Sequence, residues 1–232
     1  MANVVAVVGE SGTGKSTSIE TLDPKETFII NCAGKPLPFR GSSSVYSGAN
    51  KNQSKVNTAA AVVDVMKKVE SEWKHVKNLV IDDSLFVMTE LFFQKAQETG
   101  YGKFTELAQA YQSILSYAKS MRNDLNVAIM MHEEDEVSNQ IKVQKKVKTV
   151  GKLVDDQYTP LSVVSVALFT NVSFDDKGNA QYQFVTNRTK ISGMVIPAKS
   201  PRGMFDELFI PNDLKKVFDI MNSYYKDETI KQ

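Results

Sequence analysis

The chain has 232 residues, 42% of them hydrophobic, with 28 basic and 27 acidic side chains and one cysteine. That length carries one large α/β core by default, and the near-balance of charge means that any nucleic-acid surface must come from local segregation. Cys32 excludes an intrachain disulfide, no stretch resembles a signal peptide or a membrane span, and a cytoplasmic protein with no membrane partner is expected.

Residues 3–8 form a nearly continuous apolar run ending in glycine, the pattern of a buried parallel strand. Residues 15–22 have helix character and stop near Asp23-Pro24, and residues 27–31 read as a second strand. From 33 to 55 the composition turns to Gly, Ser, Pro and Asn, which predicts a long loop. Ala59, Val62, Val63, Met66, Val69 and Trp73 keep helical spacing and predict one buried helix face. A third strand follows at 78–81, then helices over 85–98 and 104–122, and a fourth core strand at 127–131 closed by His132. Segments 163–174 and 180–186 flank Asp175-Asp176-Lys177-Gly178-Asn179, a hairpin signal. Pro211 followed by Leu214, Val217, Phe218 and Met221 predicts a terminal helix with proline in its first turn. The fold expected is α/β: a mainly parallel sheet flanked by helices, with an antiparallel edge hairpin.

Gly9-Glu10-Ser11-Gly12-Thr13-Gly14-Lys15-Ser16 fits the phosphate-loop pattern without a mismatch, and Thr17 follows it. Glycines let the backbone curl so that its N–H groups face phosphate oxygens. Lys15 reaches the β- and γ-phosphates, the Ser16 hydroxyl ligates Mg2+, and the following helix directs its positive end at the same anions. The expected ligands are therefore ATP and Mg2+. Asp82, at the end of the third strand, is the metal-side carboxylate, while Asp83 orients or deprotonates the attacking water. His132 either senses the γ-phosphate or holds a structural hydrogen bond.

These blocks together resemble the RecA-like ATPases, and within them the short phage-encoded proteins of single-strand annealing and recombination. GESGTGKST, FIINCAGKPLPF, LVIDDS, GYGKFTELAQ, MMHEEDE and AKSPRGMFDELFIPNDL carry the resemblance across nearly the whole chain. It implies a RecA-type P-loop core over residues 1–132, a DNA-binding loop over 133–160, and an edge hairpin with a C-terminal helix over 161–232, all in one domain. It also implies assembly into a homo-oligomeric ring or filament, with ATP at subunit interfaces. Arg188 and Lys190, or alternatively Lys199 and Arg202, resemble basic residues that reach a neighbour's nucleotide. One departure stands out: after the second strand, where RecA-like proteins carry a catalytic glutamate, this chain has Asn31-Cys32-Ala33-Gly34-Lys35.

Two segments are candidates for single-stranded DNA. No acidic residue occurs from Thr27 through Val63, while Lys35, Arg40, Lys51 and Lys55 do, with Phe39 and Tyr46 available to stack on bases. Lys142, Lys145, Lys146 and Lys148 alternate along a second segment, with lysines on the outward side of an exposed strand or hairpin; they serve DNA or simply protect a sheet edge. The function expected is a DNA-dependent ATPase of phage recombination or annealing. The alternatives are a nucleotide or small-molecule kinase, for which an arginine-rich lid is missing, and an ATP-gated annealing scaffold with negligible hydrolysis. A packaging motor is less favoured, because no nuclease domain or extra arm accompanies the core.

Overall fold

A computed structural model describes residues 1–138, 140–151 and 159–227 of the chain. Its frame is a sheet with the order β11-β8-β7-β1-β5-β4-β2-β3. These strands are β1 (Asn3–Gly9), β2 (Thr27–Asn31), β3 (Gln53–Ser54), β4 (Asn78–Asp82), β5 (Asn126–Ser138), β7 (Val166–Phe174), β8 (Ala180–Val185) and β11 (Phe209–Pro211). From β3 to β7 the pairing is parallel, and β8 and β11 continue it antiparallel at one edge. The expected α/β class and edge hairpin are therefore present. The hairpin turn is held by Asp175, whose carboxylate accepts from the amides of Lys177 (2.9 Å) and Asn179 (2.8 Å).

Alternate residues of each central strand enter opposite cores. Val4, Ala6 and Val8 of β1 join Leu79 and Ile81 of β4 and Ile129 of β5 on one face. Val5, Val7, Val80 and Ala128 face the other. Burial on both faces explains why these strands read as continuous apolar runs. Helices α2 (Ala59–Ser71) and α4 (Gly102–Ser120) contribute Val62, Met66, Leu107 and Ile114 to the first core, with α3 (Leu85–Gln94) beside them. Helix α5 (Leu214–Asp227) lays Leu214, Val217, Phe218 and Met221 against the second. At the amino ends of the strands, a row of amides crosses the sheet. Asn126 donates to Asn78 (3.1 Å), Asn3 donates to Asn126 (3.5 Å), and Asn3 also reaches Asn222 of α5 (2.9 Å).

Several local expectations are corrected. The helix character expected over 15–22 takes the form of a 3-10 helix (Ser16–Thr21). Ser18 Oγ bonds back to the Lys15 carbonyl (2.6 Å) and Thr21 Oγ1 to that of Ser18 (3.0 Å), so hydroxyls compete with the helical ladder. The 33–55 segment is not structureless: it holds a short helix α1 (Ser42–Val45) and β3, and the Asn50 and Asn52 amides pin it by bonding the Val45 carbonyl, each at 2.9 Å. Helices expected over 85–98 and 104–122 span α3 and α4, the first ending at Gln94.

Strand β5 does not stop before His132. It runs on to Ser138 and pairs antiparallel with β6 (Ile141–Val147), so the expected 133–160 loop begins as a hairpin, while Asn139 and residues 152–158 lie outside the described residues. β6 in turn pairs with β10 (Met194–Ile196), which pairs with β9 (Thr189–Ile191). Residues 160–163 form a 3-10 turn ahead of β7 instead of its first residues. Pro211 ends the edge strand β11, where its missing N–H does no harm. Asp213 caps α5 in its place, accepting from the Lys216 amide at 2.9 Å.

Candidate functional site

The parallel strands bring their carboxyl ends to one edge, where Gly9 pairs in register with His132 and Asn31 with Asp82. Open α/β sheets bind ligands at this edge. After Gly9 the chain curls through Gly12 (φ 82°) and Gly14 (φ 97°), backbone angles that a side chain resists. Thr13 braces the curl: its hydroxyl donates to the Glu10 carbonyl (2.8 Å) and lies 2.6 Å from the Thr170 hydroxyl of β7. The Lys15 ammonium, 5% exposed, donates to the carbonyls of Gly9 (2.8 Å) and Glu10 (2.7 Å). Two of its three donors are thus used by the loop, and one is left for an anion. Burial lowers its pKa, against the attraction of Asp83 and Asp82.

Gly9 is required for space. A Cβ there would collide with the Thr170 hydroxyl and come within 2.7 Å of that of Thr13. Gly9→Ala is expected to destabilise the fold by about 1–3 kcal/mol, the range for an overpacked interior. Thr170→Ala in the same chain should recover much of the loss, and thermal melts of both single variants and the double check it. Additive losses would remove the contact as the cause.

Ser16 Oγ donates to Asp82 Oδ1 at 2.6 Å, and Asp82 is 1% exposed. Burial and the neighbouring Asp83 charge raise the Asp82 carboxyl to about 6. A hydroxyl and a carboxylate side by side next to a phosphate loop are the hard oxygen donors that Mg2+ takes, with the rest of its shell left to phosphates and water. Among the described residues, no group of three or more His, Cys, Asp or Glu able to hold a metal ion occurs.

Asp83 turns the chain sharply at φ 53°, a left-handed angle that aspartate tolerates better than most side chains. Ser84 fixes this turn, its hydroxyl donating to the Met130 carbonyl (2.9 Å). The buried Asp83 carboxylate meets His132 Nε2 at 3.1 Å through Oδ1 and Lys35 Nζ at 2.5 Å through Oδ2. Burial raises its pKa, but the His132 and Lys35 contacts outweigh burial and hold it at about 2.

These groups line one cleft of about 690 Å³, which runs from Gly12, Lys15 and Ser16 past Lys35, Asp83 and His132. Tyr182 and Asn212 close its other side, and a Cβ on Gly14 would sit 3.0 Å from the Asn212 amide and 3.1 Å from the Tyr182 ring. Sequence reasoning missed both residues, because they come from strand β8 and the end of β11, joined where the Asn212 amide donates to the Tyr182 carbonyl (3.2 Å). A larger depression of about 890 Å³ lies at the other end of the sheet, around Asn3, Asn78 and Asn126, away from the phosphate loop.

Lys35, predicted on a DNA-facing loop, lies in the cleft, whereas Arg40, Lys51 and Lys55 are exposed. Tyr46 is 3% exposed and edge-on to Phe39 (6.2 Å), so this pair packs in the second core and is not presented to bases. The lysines of the second segment do not form an open strip. Lys142 pairs with Asp135 (2.6 Å) and Lys146 with Glu134 (3.1 Å), while Lys145 meets Glu10, Glu133 and Asp135 within 2.9 Å. Lys148 is exposed, its amide bonded to the His132 carbonyl (2.8 Å). None of Arg188, Lys190, Lys199 and Arg202 lines the cleft of its own chain. Arg188, Lys190 and Arg202 are exposed, and Lys199 is half-buried with its pKa lowered by burial. Among the described residues, no helix is long and apolar enough to cross a membrane.

A profile of the AAA domain family matches residues 1–188. No curated protein matches the chain. Among solved structures, a KaiC-like protein from the hyperthermophilic archaeon Pyrococcus horikoshii OT3 is similar at 8% identity, with a TM-score of 0.49 and coverage of 84% of this chain and 88% of that one.

Proposed function

The chain belongs to the AAA domain family, and from that premise we propose that it binds and hydrolyses Mg2+-ATP in this cleft as a DNA-dependent ATPase of phage recombination or single-strand annealing, in the cytoplasm of the host. The observation that carries the nucleotide reading is the 2.6 Å contact between Ser16 and the buried Asp82, beside a lysine whose ammonium closes the phosphate loop. Ser16 and Asp82 would hold the Mg2+. When bound, the ion supplies charge neutralisation at the β- and γ-phosphate oxygens. The loop amides and the third Lys15 donor hold the same oxygens.

In the reaction, a water oxygen bonds to the γ-phosphorus as the bond from phosphorus to the bridging oxygen breaks, and that electron pair leaves with ADP. Asp83 orients the water by accepting its hydrogen bond. With His132 bonded to its Oδ1, it is a weak base, so the proton ends on the phosphate product. The same weakness, together with the missing glutamate after β2, favours slow turnover and supports a second reading, an ATP-gated annealing scaffold.

The DNA role rests on resemblance and on charge. Arg40, Lys51 and Lys55 stand exposed in a stretch without acids. Lys51 also lines a cleft of about 840 Å³ together with Lys25, Trp73 and His75, residue types that suit a phosphate backbone. Assembly into a ring or filament would let Arg188, Lys190, Lys199 or Arg202 of one subunit act on a neighbour's nucleotide.

Phosphate release with and without single-stranded DNA tests the reading. DNA should raise the rate, and the stimulation should fade as salt rises. A rate that DNA leaves unchanged, with ATP still bound, would overturn DNA dependence, and phosphate transfer to an added acceptor would mark a kinase.

A further inference from the structure

The position where the resemblance leads one to expect a glutamate holds a cation anchored over the nucleotide cleft. Asn31, fully buried at the end of β2, clamps the following turn: its amide donates to the Lys35 carbonyl (2.7 Å) and its side-chain oxygen accepts from the Gly34 amide (2.8 Å). The Lys35 backbone is therefore fixed while its side chain remains 52% exposed and ends 2.5 Å from Asp83 Oδ2. Among the described residues lining the cleft, Lys15 and Lys35 are the two with an ammonium group, and none is an arginine. Lys15 is buried and tied to two carbonyls, whereas Lys35 has the freedom to move.

We propose that Lys35 is the γ-phosphate cation of this chain, passing from Asp83 to the terminal phosphate when ATP rather than ADP fills the cleft. The assignment rests on the reading of the cleft as an ATP site. A nucleotide ending in a γ-phosphate brings an anion that ADP lacks, and a half-exposed ammonium can exchange one anionic partner for another. The exchange has a second effect. It releases Asp83 Oδ2 while His132 stays on Oδ1, so the carboxylate is not stranded and gains a free oxygen for the water that attacks phosphorus. Lys35 thus couples recognition of ATP to positioning of the water, from within one subunit.

The test compares ATP and ADP affinity, measured by calorimetry with Mg2+, and single-turnover phosphate release in the wild type, Lys35→Ala and Lys35→Arg. Lys35→Ala is expected to weaken ATP by about 10- to 100-fold, the worth of a charge-assisted hydrogen bond, with ADP nearly unchanged. Single-turnover release should fall about 100- to 1,000-fold, and Lys35→Arg should recover most of the ATP preference. Thermal melts near the wild type establish that the variants fold.

Equal losses for both nucleotides, or an unchanged ATP-to-ADP ratio, would overturn the assignment. So would an Ala variant whose main defect is DNA binding without nucleotide. Wild-type protein that binds neither nucleotide defeats the ATP-site reading and this proposal together. Nucleotide binding that needs Lys15 but ignores Lys35 defeats this proposal alone.

Discussion

Lys15→Ala is expected to lower phosphate release by about 100- to 1,000-fold or more and to abolish tight nucleotide binding, since it removes the one charged donor built into the phosphate loop. The same ammonium closes the loop by bonding the Gly9 and Glu10 carbonyls. Its loss should therefore loosen the curl as well as remove a contact. Global stability should change little, because burial already disfavours the charged form of Lys15. Lys15→Met, which keeps the length of the side chain, should be as inactive as the alanine variant. Turnover at the wild-type rate in either variant would overturn the assignment of the cleft.

Asp82→Asn is expected to separate stability from activity. The Asp82 carboxyl is raised from its ordinary range to about 6 by burial and by Asp83. A raised folded pKa favours folding fully below the unfolded value and loses that contribution as pH climbs through about 6. At pH 8 without metal, wild-type protein therefore carries a buried charge, and the asparagine variant should be more stable by on the order of 2 kcal/mol. Near pH 4 the difference should vanish, because the wild-type carboxyl is then protonated. Mg2+-dependent nucleotide binding should be lost in the variant, and in the wild type it should weaken below about pH 6 as protons compete for the carboxylate. Paired urea melts at the two pH values, with and without Mg2+, measure all of this. A variant that is less stable at pH 8 would contradict the buried-charge account.

Legibility in the sequence tracked the range over which the chemistry is written. The phosphate loop is one contiguous stretch whose glycines carry backbone angles, so its role was readable from spacing alone. Asp82 was readable as the polar end of an apolar strand. The contact of Lys35, Asp83 and His132 was not, since it depends on β2, β4 and β5 lying side by side, an order that no local pattern encodes. Tyr182 and Asn212 were invisible for the same reason, as antiparallel pairing at the sheet edge carries them to Gly14. The lysines of β6 misled in the opposite direction. Read alone they form a basic strip, but the hairpin folds them back against the acids of the preceding strand, with Asp135 opposite Lys145 and Glu134 opposite Lys146. Lys145 also ties that hairpin to Glu10 of the phosphate loop, a contact that spans 135 positions of chain. The helix expected after the loop is present in 3-10 form, where Ser and Thr hydroxyls bond carbonyls that a longer α-helical ladder would use.

The row of asparagines at the foot of the sheet has a consequence for how the chain finds its structure. β1, β4 and β5 are apolar on both faces, so sliding one past its neighbour by a single residue would exchange one greasy face for the other and change the buried apolar area little. Hydrophobicity alone is a poor judge of that slip. The amides judge it well: a one-residue shift moves each by about 3.3 Å, out of bonding range, and turns its side chain to the opposite face. Asn3, Asn78 and Asn126 act as alignment pins, making mis-threaded sheets costly where greasy packing would tolerate them.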